Sequence, residues 1–401
     1  MGRSIAGPMI TAYVSWILND AMHNGVNKIY FLARDGYSLY KTAEILCQKN
    51  ELDIECRYLY SSRISLRIPS FHLIGDEGYD LLCTGGSHVT PDTVLDRLAL
   101  NSEEKALVFD DIGIASQKDE LLDSVSLSKL KSKLRESQVF GRIADRISKN
   151  AYNITISYFR QEGLFNQEKI AIADSGWTGS MQRSMRQLLR AEGYTGTICG
   201  YYFGMFVKPA DKADGEYKTW YFNGKGRISD KIFFCNNLLE CMLSAPHGMT
   251  LGFRMNGSAV EPVLKECSPK YIEYAQAHSE GIMEYAEHNS CLSGNITLGM
   301  RKFIHHVMTK PSEQMIRVYG RVDFCDDLNE KHMIPLSDPS QIEGLKRFLL
   351  IPRIVNKLFK KRKKSCNVYW SFGTITYLPA LKGWWYRINI YISDWIRFAL
   401  R

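Results

Sequence analysis

Apolar residues along this chain form two patterns: short uninterrupted runs, and longer segments in which they recur every three or four positions. The short runs predict strands buried on both faces, and the longer segments predict helices with one buried face. The predicted strands are Lys28 to Ala33, Arg57 to Tyr60, Lys169 to Ala173 and Thr197 to Met205. Because helical segments separate them, this order predicts an α/β fold with a Rossmann-like parallel sheet.

Helical segments make up much of the remaining chain. The segment 91–164 is mainly helical. Within it, Ser126 to Lys149 has helical periodicity and many charges, which suits an inserted helical lid or cap. Changes of pattern near 265 and 343 divide the chain into an α/β core (1–265), a helical region (266–343) and a tail (344–401). The predicted helices are Pro8 to Asn24, Ser38 to Lys49, one through Met181, Met185 and Leu188, Lys270 to His288, Met300 to Thr309, and Ser312 to Tyr319.

Positive charge is concentrated in the tail. The whole chain carries +8, but 344–401 contains thirteen Lys or Arg and one acid, which leaves +12 on the tail and −4 elsewhere. Lys346 to Lys364 interleaves basic and apolar residues and is predicted to be an interfacial helix; four tryptophans follow, at Trp370, Trp384, Trp385 and Trp395. We predict that this tail binds an anionic membrane surface. The alternatives are packing on the core, or a nucleic-acid patch, which we do not expect because no reading motif accompanies the charge.

Targeting features are missing from the sequence as given. The N-terminus has no apolar run behind a charged segment, and no stretch of about 18 uninterrupted apolar residues occurs. The ten cysteines include no C-x-x-C pair, and we expect them to be reduced and mostly buried. We therefore predict a cytoplasmic protein, peripheral at the inner face of the cytoplasmic membrane.

Two loops of the predicted sheet carry candidate chemistry. Ala33-Arg34-Asp35-Gly36 follows the first strand, and Asp174 to Ser180 (DSGWTGS) follows the third. The carboxyl ends of parallel strands meet at one edge of a sheet, where helix N-termini and free backbone N–H groups bind ligands. Both loops therefore predict a site for a polyanion. The alternatives are a surface Arg–Asp pair in the first loop and an ordinary helix N-cap in the second.

The residue types in these loops suggest individual roles. Arg34 is a planar donor suited to pyrophosphate, Asp35 a carboxylate for magnesium or a proton, and Gly36 leaves room for close approach. Asp174, at the end of the third strand, suits ribose hydroxyls. The remaining residues offer tight turns, hydroxyls and backbone N–H groups for a donor phosphate: Ser175, Gly176, Trp177, Thr178, Gly179 and Ser180.

Other charged residues have two interpretations each. Arg63 and Arg67 follow the second strand, where a guanidinium suits a phosphate oxygen or a structural ion pair. The Asp110-Asp111 pair invites a metal or nucleophile interpretation, but we favour an ordinary helix end or turn. A dehalogenase-type phosphatase needs an acid two residues after its nucleophile, and Ile112 stands there.

Two of these stretches resemble known phosphoribosyltransferase motifs. ADSGWTGSM at Ala173 to Met181 is similar to the ribose-phosphate loop of type I phosphoribosyltransferases, and YFLARDGYSLYKTAEIL is similar to their pyrophosphate loop. More closely, a set of five motifs resembles the glycan phosphoribosyltransferase domain of bacterial ribofuranosyltransferases over Gly7 to Gly252. The five are GPMITAYVSWILNDA, FLARDG, RYLYSSRISLR, ADSGWTGSMQ and LLECMLSAPHGMT.

This resemblance implies a divergent phosphoribosyltransferase core and a magnesium-dependent pentosyl transfer. Ribosyl 5-phosphate would pass from phosphoribosyl pyrophosphate to a hydroxyl of a lipid-linked glycan in O-antigen or capsule synthesis, with release of pyrophosphate. The chain lacks the N-terminal aspartate-x-aspartate loop of two-domain relatives, so a separate phosphatase would remove the 5-phosphate. The type I pattern has two acids before Thr-Gly, whereas this chain has only Asp174 in that place.

The motif LLECMLSAPHGMT adds acceptor-side candidates. By the resemblance, Glu240 or His247 would act as base for the attacking hydroxyl, although a lone His after Pro is more often a packing residue. Two other functions stay open at this point. One is a haloacid-dehalogenase-like phosphohydrolase, for which the sequence supplies no evident nucleophile, and the other is a non-enzymatic, membrane-associated subunit of glycan assembly.

Overall fold

A five-stranded parallel sheet forms the centre of the computed structural model, which describes residues 1–401 except 87, 208–214, 293, 326–329, 331–332, 353–367 and 400–401. The strands lie in the order β2-β1-β3-β4-β5, and every neighbouring pair is parallel. Their bounds are β1 (Lys28–Leu32), β2 (Glu55–Leu59), β3 (Lys169–Trp177), β4 (Thr197–Met205) and β5 (Glu216–Phe222). The predicted Rossmann-like α/β fold is confirmed.

Helices and two small hairpins surround this sheet. The helices are α1 (Gly7–His23), α2 (Gly36–Lys49), α3 (Arg63–Ser70), α4 (Asp76–Leu82), α5 (Pro91–Asp96), α6 (Ser102–Asp111), α7 (Ser124–Glu136), α8 (Gln138–Gln161), α9 (Ser180–Ala191), α10 (Ile228–Ile232), α11 (Asn236–Met242), α12 (Pro269–His288), α13 (Leu298–Thr309), α14 (Glu313–Val318), α15 (Ser371–Ile375) and α16 (Ala380–Ala399). The hairpins pair β6 (Thr250–Asn256) with β7 (Ala259–Leu264), and β8 (Asp323–Phe324) with β9 (Ile334–Pro335).

The sheet separates two layers of helices because alternate side chains of a strand point to opposite faces. In β1, Ile29 and Phe31 pack with apolar residues of α1 and α2. Tyr30 and Leu32 pack on the other face with residues of α8 and α9. All four side chains are fully buried, which explains why this strand reads as one continuous apolar run.

The helical region that the sequence predicted at 91–164 begins earlier than expected. A separate apolar core runs from Ile64 in α3, through Phe71 and Val94, to Phe140 and Ala144 in α8. The helices α3 and α4 thus belong with the region, ahead of its predicted start. Both are too short, at eight and seven residues, to show a clear helical period, and Pro69 lies inside α3.

The predicted boundaries near 265 and 343 do not separate apolar cores. Ile282 of α12 and Met308 of α13 belong to the same buried cluster as Ile29 of β1. Trp370 and Ile390, both beyond 343, also belong to this cluster and are buried. The described C-terminal residues therefore complete the core on the α1 side of the sheet.

Three strand features were missed by the sequence patterns. The edge strand β5 mixes polar and apolar residues, and the hairpin β6–β7 was not among the predicted strands. The strand β3 also continues to Trp177, four residues past its predicted end, because it pairs with β4 as far as Met205. Asp174, Ser175 and Gly176 have weak strand propensity, so only the pairing partner reveals this extension.

The tail divides differently from its prediction. Most of the expected interfacial helix at Lys346 to Lys364 lies outside the described residues, and its first residues end a 3₁₀ helix at Pro339–Phe348. Trp370 is fully buried, whereas Trp384, Trp385 and Trp395 are exposed on α16. Of the helices in the described part of the chain, none combines the length and apolar composition needed to cross a bilayer.

The cysteines are less buried than predicted. In the described part of the chain they carry free thiols, but only Cys47, Cys199 and Cys241 are buried, and Cys291 is exposed. Cys366 lies outside the described residues. The remaining five lie at intermediate depth, because several occupy the ends of elements rather than their inner faces: Cys56, Cys83, Cys235, Cys267 and Cys325.

Candidate active site

The two predicted ligand loops lie side by side at the centre of the sheet. The strand order is β2-β1-β3-β4-β5. From β1 the chain adds β2 on one side and then, reversing direction, β3, β4 and β5 on the other, so the helices that follow β1 and β3 pack on opposite faces of the sheet. Such a reversal opens a crevice at the carboxyl ends of the two strands, which is where α/β proteins bind ligands. Asp35 follows β1, and Asp174 lies in the last part of β3, at this crevice.

Three partly buried carboxyl groups gather there: Asp35, Asp174 and Glu240, the last from α11. Burial, and then the charge of Asp174, raise the pKa of Asp35 to about 7. The pKa of Asp174 is likewise raised by burial and by Glu240, and that of Glu240 by burial and by Asp35. Each group is thus held near the pH at which a carboxyl can exchange a proton in neutral solution.

Residues of β3 position all three carboxyls. The Ser175 hydroxyl donates to Asp35, and the Ser175 N–H donates to Oδ1 of Asp174 at 2.8 Å. The indole Nε1 of Trp177 donates to Oε1 of Glu240 at 2.7 Å. Ser175 and Trp177, which we expected to contact the donor, therefore hold the acidic side chains in place.

A single arginine influences the whole group. Arg63 is the first residue of α3, its side chain is exposed, and its positive charge lowers the pKa of Asp35, Asp174 and Glu240. Among the residues that the structure describes, its guanidinium has no hydrogen-bond or ion-pair partner. It is therefore free to bind an anionic ligand beside the carboxyls.

Arg34 is placed near the site but is already paired. Its guanidinium donates to Glu330, which also lies 3.6 Å from Lys265. The sequence predicted either a guanidinium available to pyrophosphate or a surface ion pair between Arg34 and Asp35. The structure shows neither, because Arg34 is bonded to Glu330. Because Glu330 is 296 positions away in the chain, no local pattern could have shown the contact.

The predicted phosphate loop is shaped largely by packing. Gly179 has φ +72°, and a Cβ there would lie 2.5 Å from the Tyr217 ring. Gly176 has φ +116°, and its Cβ would meet a backbone oxygen at 2.3 Å. Thr178 is exposed, and α9 begins at Ser180 with no side-chain cap and no acid in its first turn. The N-terminal N–H groups of α9 are thus available to an anion.

Gly36 serves packing rather than ligand approach. A Cβ at this position would lie 2.7 Å from the backbone of Phe31, so the missing side chain lets α2 start close against β1. The expectation that Gly36 admits the ligand is therefore not what the geometry shows.

His247 does not belong to the cluster of three acidic side chains. Its Nδ1 is 2.8 Å from the carbonyl oxygen of Gly248, and its Nε2 is 2.7 Å from the Tyr58 hydroxyl. Burial lowers its pKa, so we assign the neutral ring, with Nδ1 donating to Gly248 and Nε2 accepting from Tyr58. With both nitrogens bonded, His247 has no free position for taking a proton from an acceptor hydroxyl, whereas Glu240 lies with the other carboxyls.

The donor set of this site suits a hard cation. Carboxylate oxygens of Asp35, Asp174 and Glu240 are the ligands that Mg²⁺ prefers, and Mg²⁺ is commonly held by one or two carboxylates together with substrate phosphates. Over the described ranges, no three acidic, His or Cys side chains are arranged as a ready metal site. The residues fit a magnesium ion that arrives with a phosphorylated substrate.

The chain matches no protein-family model and no curated protein significantly. The site therefore has to be interpreted from its own residues. Sequence reasoning missed Glu330, the Trp177 contact to Glu240, and Tyr13, whose hydroxyl donates to the carbonyl oxygen of Asp174 at 2.9 Å. As expected, the Asp110-Asp111 pair ends helix α6, where Asp111 accepts from the Ser137 hydroxyl.

Proposed function

We propose that this chain is a glycan phosphoribosyltransferase. It transfers ribosyl 5-phosphate from phosphoribosyl pyrophosphate to a hydroxyl of a lipid-linked glycan and releases pyrophosphate. The observation that carries this proposal is the cluster of Asp35, Asp174, Glu240 and Arg63 at the reversal between β1 and β3, where Arg63 pairs with none of the described residues. Such a site offers proton acceptors, hydroxyl acceptors and an anion-binding cation within one crevice.

The proton of the acceptor hydroxyl needs a base near neutral pH. Asp35 and Glu240 both have a pKa raised to about 7, mainly by burial, which suits general-base catalysis in neutral solution. As the acceptor oxygen bonds to the anomeric carbon, the bond from that carbon to pyrophosphate breaks and the proton passes to the carboxylate. We assign this role first to Asp35, with Glu240 on the acceptor side.

The donor is held by several groups. Asp174 faces the ribose hydroxyls, Thr178 and Ser180 at the start of α9 face the 5-phosphate, and Arg63 faces the pyrophosphate. In the alternative role, Asp35 would hold a magnesium ion that arrives with the pyrophosphate, which would supply charge neutralisation for the leaving group, and Glu240 would then be the base. Arg34 joins only by exchanging its bond to Glu330 for one to phosphate. Attack opposite the leaving group inverts the anomeric centre and gives a β-ribofuranoside.

We place this reaction at the inner face of the cytoplasmic membrane. The support comes from α16, where Leu381 is 86% exposed and Trp384 is 63% exposed. Further apolar residues continue the same face at helical spacing: Trp385, Ile388, Ile392 and Trp395. An exposed stripe of tryptophan and aliphatic residues is typical of helices that lie at the headgroup level. A separate phosphatase would then remove the 5-phosphate from the product.

A single assay distinguishes the proposal from its alternatives. The purified full-length protein is mixed with phosphoribosyl pyrophosphate, Mg²⁺ and a panel of lipid-mimic glycan acceptors, and products are analysed by mass. We expect pyrophosphate together with an acceptor heavier by one phosphopentose. Free phosphate without transfer would indicate a phosphohydrolase. Acceptor binding with no turnover would indicate a non-enzymatic assembly subunit.

A further inference from the structure

Arg67 and Arg97 lie close to each other in the helical region. Arg67 follows Arg63 by one turn of α3, so their Cβ atoms are about 5–6 Å apart on the same face. Arg67 and Arg97 line one cavity, whose other walls are mainly apolar and include Phe71, Ile74 and Leu81. The cavity has a volume of about 20 Å³. It therefore has room for one oxygen-sized group.

In the part of the chain that the structure describes, the Arg67 side chain is paired with no acid. Among the residues that the structure describes, its guanidinium has no hydrogen-bond or ion-pair partner, and the charges acting on it are those of Arg63 and Arg97. Burial, and then these two positive charges, lower the pKa of Arg67 to about 10, which still leaves it charged at neutral pH. Arg67 thus lies near two other arginines, and no described carboxylate is paired with it.

Nearby acids do not supply the missing charge. The helix α4 forms one wall of the cavity, through Gly78, Leu81 and Leu82. Each acid of α4 is paired with a basic residue on another element: Asp76 with Arg135, Glu77 with Arg183 and Asp80 with Lys131. Arg97 donates to the carbonyl oxygens of Leu82 and Thr84, both at 2.6 Å, which holds its guanidinium against the end of α4.

Arg67 is half-buried and has no counter-charge among the described residues, an arrangement that a bound anion would stabilise. We propose that Arg67, supported by Arg97, binds the outer phosphate of pyrophosphate while Arg63 binds the inner one. The spacing of one helical turn suits the two ends of a pyrophosphate group, and one outer oxygen enters the cavity. This inference rests on the proposed function, and it assigns the leaving group to α3 because Arg34 is bonded to Glu330.

The test measures ligand binding rather than turnover. The full-length protein and its variants are titrated by calorimetry, in the presence of Mg²⁺, with pyrophosphate and separately with ribose 5-phosphate. In Arg67→Gln we expect pyrophosphate affinity to fall at least tenfold and ribose 5-phosphate affinity to change less than twofold. Arg142→Gln, an exposed arginine on α8, is the matched control and should bind both ligands like the unmodified protein.

The variants also keep the test decisive if one of them fails to fold. Arg67→Lys retains the charge but loses the two-pronged donor, so it should weaken pyrophosphate binding several-fold. Unchanged pyrophosphate affinity in either folded variant, or equal loss of both ligands, overturns the assignment. Pyrophosphate binding through Arg67 without any transfer would instead overturn the proposed function and leave this site standing. If the protein catalyses transfer but Arg67→Gln keeps its pyrophosphate affinity, the proposed function stands and the Arg67 site is overturned.

Discussion

At the carboxyl ends of β1 and β3, three acidic side chains lie partly buried and close enough to raise one another's pKa, whereas on α16 tryptophan, leucine and isoleucine face solvent. The two regions depart from the usual sorting of residues in opposite directions. One places charge where water is scarce, and the other places apolar surface where water is abundant.

Both arrangements are unfavourable for the chain alone. Carboxylates held together repel each other and lose hydration, and exposed apolar surface forgoes about 25 cal/mol per Å². Each becomes favourable once a complementary partner arrives. Under the proposed function, that partner would be a magnesium-bound phosphorylated sugar for Asp35, Asp174 and Glu240, and the membrane interface for α16. The comparison therefore predicts that changes in the first region affect chemistry and changes in the second affect location.

The largest effect is expected from Asp35→Asn. The amide keeps the shape and can still accept from the Ser175 hydroxyl, but it cannot take a proton or bind a cation strongly. Phosphopentose transfer should fall by roughly 10²–10⁴-fold, measured as initial rates of pyrophosphate release. Asp53→Asn, an exposed Asp outside the site, is the control and should keep full activity. Near-normal turnover of Asp35→Asn would remove this residue from the mechanism.

The second region is tested by replacing Trp384 and Trp395 together with Gln. Loss of two exposed aromatic side chains should weaken binding to vesicles containing anionic lipid by roughly tenfold or more, measured by flotation at low salt. Activity on a soluble acceptor should be unchanged. Leu107→Gln alters an equally exposed apolar residue on α6 and should float like the unmodified chain. If the double variant floats equally well, α16 is not the anchor.

Substitution is preferable here to removal of the tail. Truncation after Glu343 would also remove Trp370 and Ile390, which are buried in the same apolar cluster as Ile29. A truncated chain that failed to float would therefore report lost folding as readily as lost membrane contact. Raising the salt concentration gives a second check, because attraction between Lys or Arg and anionic lipid is screened by salt.

Asp174→Asn should stabilise the fold at alkaline pH. A carboxyl whose pKa rises from about 3.9 unfolded to about 7 folded contributes stability that is complete below pH 4 and is lost as pH rises through 7. The Asn variant avoids that loss, so its advantage in unfolding free energy should grow by on the order of 2 kcal/mol between pH 5 and pH 8. Urea unfolding at both pH values measures this. If the difference in unfolding free energy between Asp174→Asn and the unmodified protein is the same at pH 5 and pH 8, folding does not raise the pKa of Asp174.

The smallest effects concern the loop before α9. Gly179→Ala should cost roughly 1–2 kcal/mol in unfolding free energy, because φ is +72° and the new Cβ would meet the Tyr217 ring. Thr178→Val changes an exposed residue and should leave stability within about 0.5 kcal/mol while weakening donor binding a few-fold. Thermal unfolding and donor calorimetry separate the two. Equal donor affinity in Thr178→Val would place the 5-phosphate elsewhere.

The sequence by itself determined the centre of the sheet and the place of the two principal acids. KIYFL and KIAIA read as buried strands because every residue after the initial lysine packs on one helix layer or the other. Since the carboxyl ends of parallel strands meet at one edge of the sheet, the sequence alone predicts that Asp35 and Asp174 share a site. Their local sequence contains both the strand signal and the acid that follows it.

Only the tertiary structure decided which other residues join that site and how the tail is divided. Glu240 reaches the group through Trp177, and Arg34 is bonded to Glu330, across separations of 63 and 296 positions. Likewise, Trp370 is buried and Trp384 exposed although both stand in one aromatic stretch. Periodicity reports how each residue relates to its own helix or strand. Contacts between distant elements depend on how those elements pack, and no local pattern contains that information.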